Sequence, residues 1–293
     1  MKTQNFKTVL SFVCFCLSLL ACEKPLLTEE SGKSSQPEGN LTVSIFQLEH
    51  TLFQSLTRVA ASDVCTRLNF AVYDGEGVRV MQENQKVGDA DFGSVSFQLS
   101  EGTYQLVAVA HSSSGNPTMT NPAKIQFTNA QGYTDTYLYN GMVTITDQPQ
   151  SLSLSLNRIV SLCRFVITDA IPAEVSRIRF QYKGGSGAFD AATGFGTVKS
   201  TQTLWFDAQV GQQQTQYDLY TFLHAEEGTI HLQATAYDSN ETPLYEHEMD
   251  IPMRQNEITW ISGTFFSGSS NAAPLSSTVS LSTTWNGETH LSY

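Results

Sequence analysis

Leu152, Leu154 and Leu156 stand between Ser151, Ser153 and Ser155, an alternation that fits one face of a β-strand and no face of a helix. The same period of two returns almost everywhere from Leu41 onward, in short runs separated by turn residues. Leu68, Phe70 and Val72, with Val64 upstream, share one side of an early run, and Asp74-Gly75 predicts a tight turn into Val78 to Met81. Val95, Phe97 and Leu99 form a second. After a turn at Glu101-Gly102, Tyr104, Leu106, Ala108 and Ala110 point inward from a third. Asn140-Gly141 predicts another hairpin turn.

A second series starts near Arg158, with runs at Ile159 to Ile167, Val175 to Tyr182, Thr203 to Ala208, Tyr217 to Leu223, Ile230 to Tyr237, Leu244 to Ile251 and Ile258 to Phe266. Leu52, Phe53, Leu56, Val59 and Ala60 are spaced for one short amphipathic helix. Roughly 16 to 18 strands of ordinary length predict an all-β chain, arranged as two consecutive β-sandwich domains at residues 41–157 and 158–293. One large barrel is the alternative, because no Pro/Gly-rich linker separates the two series.

The charge balance limits what such a protein can bind. With 16 Lys+Arg against 28 Asp+Glu in 293 residues, the net charge of −12 excludes the broad basic surface that nucleic-acid binding needs. Charged residues make up only 15%, while 31 Ser and 31 Thr keep the surface polar.

Lys2 and Lys7 precede an apolar stretch from Thr8 to Ala21 that is too short to span a bilayer and reads as a signal peptide, residues 1–21. Its end, Leu19-Leu20-Ala21-Cys22, resembles the lipobox of bacterial lipoproteins. The resemblance implies cleavage between Ala21 and Cys22 and acyl chains on Cys22; the alternative is a plain secretory peptide with an incidental cysteine. Residues 22–40, with Pro25, Gly32, Pro37 and Gly39, then read as a flexible tether. Loss of Lys2 and Lys7 takes the net charge from −12 to −14.

Cys14 and Cys16 leave with the signal peptide, so Cys65 and Cys163 are the remaining thiols. A disulfide between them closes a loop of about 98 residues, which contributes about 4–5 kcal/mol in the chain-entropy model. The alternation argues the other way. Cys163 shares a face with Ile159, Phe165 and Ile167, whereas Cys65 shares one with Arg67, Asn69 and Tyr73, so pairing and two free thiols both stay open.

Several ordered segments carry a family resemblance: Thr66-Arg67-Leu68-Asn69-Phe70-Ala71-Val72-Tyr73-Asp74, Glu101-Gly102-Thr103-Tyr104, Leu156-Asn157-Arg158-Ile159-Val160, and Arg254-Gln255-Asn256-Glu257-Ile258-Thr259 with Gly263. Together they resemble the FimB-type anchor and accessory subunits of type V fimbriae. The resemblance implies two transthyretin-like sandwiches in a non-enzymatic outer-membrane lipoprotein without a cofactor, whose partners are other fimbrial subunits and surface ligands of host or bacterial cells. In stalk subunits of such fimbriae a trypsin-like protease cuts after an arginine, the first strand leaves, and a neighbour's strand fills the groove. Here the first arginine is Arg58, and the run Leu41 to Leu48 lies upstream of it. Cutting there releases lipid, tether and strand together; keeping the segment makes an anchor with its own groove filled, which is the reading favoured here. The segment Ser277 to Trp285, with Val279, Leu281, Thr283 and Trp285 on one face, is either a donor strand (residues 277–285) or the last strand of its own domain.

Other constellations are weaker. Gly184-Gly185-Ser186-Gly187-Ala188 lacks both the last glycine of a nucleophile elbow and the lysine of a phosphate loop, and it reads as a glycine-rich loop open to a partner. Asp89, Asp91 and Gly93 begin like a calcium loop and break at the third ligand. The six histidines show no pair at metal-ligand spacing, and His224 with Glu226-Glu227 reads as a hairpin loop. Trp205, Trp260 and Trp285, with Tyr217, Tyr220 and Tyr237, raise a second function, a surface glycan-binding lipoprotein that stacks sugars on exposed rings.

Overall fold

A computed structural model describes residues 39–48, 61–267, 276–280 and 288–293. The first half of the fold contains β1 (Leu41–Leu48), the short helix α1 (Ala61–Val64), β2 (Arg67–Tyr73), β3 (Arg79–Lys86), β4 (Ser94–Phe97), β5 (Gly102–His111), β6 (Ile125–Gln126), β7 (Thr136–Ile145) and β8 (Gln150–Arg158). The second half contains β9 (Ser161–Ile167), β10 (Arg177–Lys183), β11 (Ala188–Phe189), β12 (Gln202–Asp207), β13 (Thr215–Thr221), β14 (Glu227–Tyr237), β15 (Pro243–Arg254), β16 (Ile258–Gly263), β17 (Ser276–Ser280) and β18 (Glu288–Ser292). The protein is an all-β sandwich fold. The helical pattern from Leu52 to Ala60 falls outside the described residues, and α1 follows directly after it.

In the first half seven strands run in the order β3-β2-β5-β7-β8-β1-β4. β7 and β8 share only two residue pairs, Tyr137↔Arg158 and Leu138↔Asn157, so the two wings can fold over one core. That core takes Leu68, Phe70 and Val72 from β2, Leu106, Ala108 and Ala110 from β5, and Leu154 and Leu156 from β8. These are the inward sets that the alternation names. In the second half the sheet β12-β10-β14-β15 faces the sheet β13-β9-β16-β18-β17 across Phe165, Ile178, Phe180, Leu219, Ile230 and Ile261.

A third cluster joins the halves. Ala71 and Tyr73 from the other side of β2, Val107 and Val109 from β5, and Ile125 meet Ile159, Val160, Leu162, Phe189, Phe222 and Ile258. The small sheet β6–β11 pairs one strand from each half. β2 and β5 are therefore buried on both faces at this end, which is why Phe70 to Tyr73 and Leu106 to Ala110 are apolar without interruption. Ile159 packs in this cluster rather than beside Cys163, since β9 begins only at Ser161.

Asn140-Gly141 is not a turn: β7 passes straight through it from Thr136 to Ile145. The glycine serves close packing, because a Cβ at residue 141 would lie 2.4 Å from the Tyr139 hydroxyl, whose ring covers that position. Asp74-Gly75 does turn the chain; Asp74 accepts hydrogen bonds from the N–H groups of Glu76 and Val78 through its carboxylate.

Candidate functional site

β1 is the first described strand after the tether, and it lies inside its sheet. It runs parallel to β8 over seven residue pairs and antiparallel to β4 over four. Leu41 and Val43 are fully buried and Leu48 nearly so, in the core of the first half. On the opposite face Thr42 and Ser44 meet Ser96 and Ser94 hydroxyl to hydroxyl at 3.1 and 3.3 Å.

The two residues before β1 are fixed as well. Asn40 donates from its amide to the Leu99 carbonyl at 2.6 Å and accepts from the Leu99 N–H at 2.9 Å, so its side chain extends the β1–β4 ladder by one pair. Gly39 passes so near β4 that a Cβ there would lie 2.6 Å from the Phe97 carbonyl oxygen. The tether read at residues 22–40 is therefore pinned over its last two residues, because an asparagine amide can mimic the backbone donor and acceptor. Cys22, Ala21 and Arg58 lie outside the described residues.

The second feature is the joint between the halves, where two of the sequence segments quoted for the resemblance meet. Arg158, 1% exposed in its side chain, holds Asp135 with two hydrogen bonds, Nε to Oδ1 at 2.7 Å and Nη2 to Oδ2 at 2.9 Å. Its Nη2 also donates to the Tyr137 hydroxyl at 2.6 Å and its Nη1 to Asn256 Oδ1 at 3.3 Å. Asn256 donates its N–H to the Val160 carbonyl, and Gln255 donates its amide to the carbonyls of Ile159 and Gly194. Burial, with the Asp135 carboxylate beside it, holds the Tyr137 phenol above its usual range. Nothing in the spacing of Asp135 identifies it as the partner; only the fold brings it to Arg158.

Cys65 and Cys163 do not pair. Both are free and buried, Cys65 in the core of the first half and Cys163 in that of the second. Burial pushes the Cys65 thiol up to about 12 and raises that of Cys163 as well. Alternation placed Cys65 with Arg67 and Asn69, but it precedes β2 and turns into the core from the end of α1, its Sγ donating to the Ala61 carbonyl at 3.3 Å.

The glycine-rich run is a packed joint rather than an open loop. A Cβ on Gly184 would lie 2.2 Å from the Thr229 carbonyl oxygen and one on Gly185 1.9 Å from Thr221 Oγ1, and Ser186 is buried. Asp89 belongs to a turn in which its carboxylate accepts from the Lys86 N–H at 2.7 Å. Among the described residues no three His, Cys, Asp or Glu side chains converge as a metal set. His224 contacts the Gly196 carbonyl, while Glu227 opens β14 opposite Arg254 and pairs with it, so the turn lies before Glu227.

The aromatic set disperses. Tyr217 lies in the second core, Tyr220 and Trp260 are partly buried against the joint, and Trp285 lies outside the described residues. Trp205, on the edge strand β12, stays 45% exposed and packs against Tyr237. In the C-terminal segment β17 pairs antiparallel with β18, and β18 lies parallel to β16 with Leu291 in the core; residues 281–287 of the segment read as a donor lie outside the described residues.

No curated protein matches the chain. Among solved structures, a candidate adhesin from Bacteroides ovatus is similar at 16% identity and a TM-score of 0.48, covering 71% of this chain and 82% of its own. A candidate polysaccharide-binding protein (DUF1812) from Bacteroides thetaiotaomicron gives 11% and 0.45, covering 70% and 78%. The fimbrial anchor protein Mfa2 from Porphyromonas gingivalis gives 13% and 0.42, covering 71% and 80%. Residues 33–292 match the model of one protein family over nearly the whole fold, and the chain belongs to that family, DUF6562, a family of unknown function.

Proposed function

We propose that the chain is a surface lipoprotein that anchors or assembles fimbriae and binds other subunits through strand edges, with no substrate to turn over. The observation that carries this reading is the position of β1. A lipid on Cys22 connects through the tether to a strand held between two neighbours, by seven pairs on one side and four on the other. Tension on such a connection is borne in shear by two hydrogen-bond ladders, a suitable geometry for joining a fibre to a membrane. Burying Leu41, Val43 and Leu48 contributes about 1.5–3 kcal/mol each, so the filled groove resists release of its strand. On this reading residues 1–21 leave, Cys22 carries the acyl chains, Arg58 is left uncut, and the outer membrane and neighbouring subunits are the partners.

The test uses cells producing the full chain, labelled with an alkyne-bearing fatty acid and photo-crosslinked before the protein is recovered. Label on wild type and none on Cys22→Ala, together with crosslinked fimbrial subunits, is the expected result. A mature N-terminus at Val59 would point to a polymerising subunit and overturn the anchor reading, and recovery without any subunit would overturn the fimbrial one.

A further inference from the structure

The outer face of the sheet β12-β10-β14-β15 carries a row of cationic side chains, not all of which the fold neutralises. Arg177, Arg179, Gln181 and Lys183 alternate outward along β10, three of the four being cationic. Arg177 is neutralised by Glu241. Arg179 is not: Nη2 donates to two neutral acceptors, Gln233 Oε1 at 3.1 Å and Thr235 Oγ1 at 3.3 Å, and its Nε has no partner. No carboxylate lies within ion-pairing distance of it or of Lys183 among the described residues, in a chain whose net charge is −12. Its guanidinium instead lies 5.3 Å over the Tyr237 ring and 5.9 Å from the Trp205 ring, so aromatic faces and neutral acceptors surround the charge and no carboxylate does.

That ring is Trp205. It sits directly opposite Arg179 across the β10–β12 ladder, on the open edge of the sheet. The Arg177 guanidinium stacks on the indole at 4.3 Å and Tyr237 packs against it at 5.2 Å, yet the side chain remains 45% exposed. Among the described residues it is the only aromatic side chain of the exposed large hydrophobics. Its neighbours hold the indole in place, so a ligand that stacks on it does not have to order it first.

We infer that Trp205 and Arg179 form a binding site for an acidic sugar, a pyranose ring carrying a carboxylate, as found in uronic and sialic acids. The ring stacks on the exposed indole and the carboxylate meets the Arg179 guanidinium. Charge fixes this orientation. On the same face, toward the edge strand β15, Glu246 and Glu248 accept from Thr235 and Gln233, the residues that also accept from Arg179, and their carboxylates with Asp250 repel an anion from that side, leaving the Trp205 side as its approach. Asp207, paired in register with Arg177, closes the other corner. Arg179 is thus the guanidinium on this face that has no carboxylate partner and an unpartnered Nε, beside a stacking surface. The edge position of β12 lets a longer glycan run past the site without meeting a neighbouring strand.

The test is calorimetry, with tryptophan emission alongside, on the intact purified protein. The acidic probes are trigalacturonic acid and 3′-sialyllactose; trigalacturonate methyl ester and lactose are their neutral counterparts. At least one acidic probe is expected to bind saturably and at least tenfold more tightly than its neutral counterpart, with affinity falling as salt rises. The two acids separate a uronic from a sialic source. Trp205→Ala removes binding, Arg179→Gln lowers it at least tenfold and erases the preference for the acid, and Arg79→Gln, on β3 in the other half, changes nothing. Unchanged melting of the variants keeps the result independent of folding. Equal binding of acidic and neutral probes, binding that survives Arg179→Gln, or no binding by either acid overturns the inference.

Discussion

Asp135→Asn tests the joint between the halves most directly. The change keeps the shape of the side chain and removes the charge that compensates Arg158, which stays 1% exposed in its side chain. Removing one partner of a buried ion pair costs about 3–5 kcal/mol, because the other charge is left uncompensated in a medium that solvates it poorly. Asp135 is 26% exposed, so water reaches its side of the pair and the expected loss lies at the low end, about 3 kcal/mol. For a fold of this size that corresponds to a melting temperature lower by about 6–12 °C. Urea unfolding gives the energy and hydrogen exchange gives the place. Exchange should rise around Tyr137 and also around Asn256, which Arg158 connects although they are far apart in sequence. In Asp135→Asn/Arg158→Met the charge is gone with its partner, and the double variant should lose less than the two singles together. A loss under about 0.5 kcal/mol for Asp135→Asn, or losses that simply add, would refute the argument.

Burial, reinforced by the Arg67 charge, lowers the pKa of His111 to about 3, so its neutral form is the folded one. Nε2–H faces Asn69 Oδ1 at 2.7 Å while Nδ1 accepts the Ser113 N–H, an acceptor that protonation would destroy. Because the folded value lies below the unfolded value of about 6.5, this stability is complete above that pH and is lost as pH falls toward 3; urea midpoints should fall across the window and fall less in His111→Gln. The buried Cys65 and Cys163 thiols should ignore a thiol reagent in the native protein and both react in urea, whereas two silent cysteines in urea would mean a disulfide. Gly184 holds φ at 95° with the Thr229 carbonyl oxygen 2.2 Å from the place of a Cβ, so Gly184→Ala should cost more than about 2 kcal/mol in unfolding free energy. Gly75→Ala, with open space around it, should change stability by under about 1 kcal/mol.

Much of the architecture was legible along the chain. Leu152 to Leu156 and Tyr104 to Ala110 became strands with the expected side inward, and each of the seven later runs overlaps a strand, although Ile159 fell outside β9 and packs in the joint; a period of two is a local consequence of the pleat. Turn chemistry was less dependable. Asp74-Gly75 turned the chain, while Asn140-Gly141 stayed in a strand because the ladder with β5 and the Tyr139 ring prevailed over local preference. The segments that carry the family resemblance were visible as short words, but the meeting of two of them at one joint was not: Arg158 and Asn256 are 98 positions apart, and Asp135 carries no signal of its own.

By itself the sequence determined the strand set, the acidic and weakly charged surface, and the signature at Cys22, since each follows from neighbouring residues or from composition. Only the tertiary structure decided that Leu41–Leu48 lies between β8 and β4, that the two cysteines sit in different cores, and that the glycine-rich run closes a joint. It also decided that Trp205 alone of the described tryptophans faces water beside an unneutralised arginine. The physical reason is that alternation tells which side of a strand is apolar, whereas what covers that side depends on contacts between residues that the chain order keeps far apart.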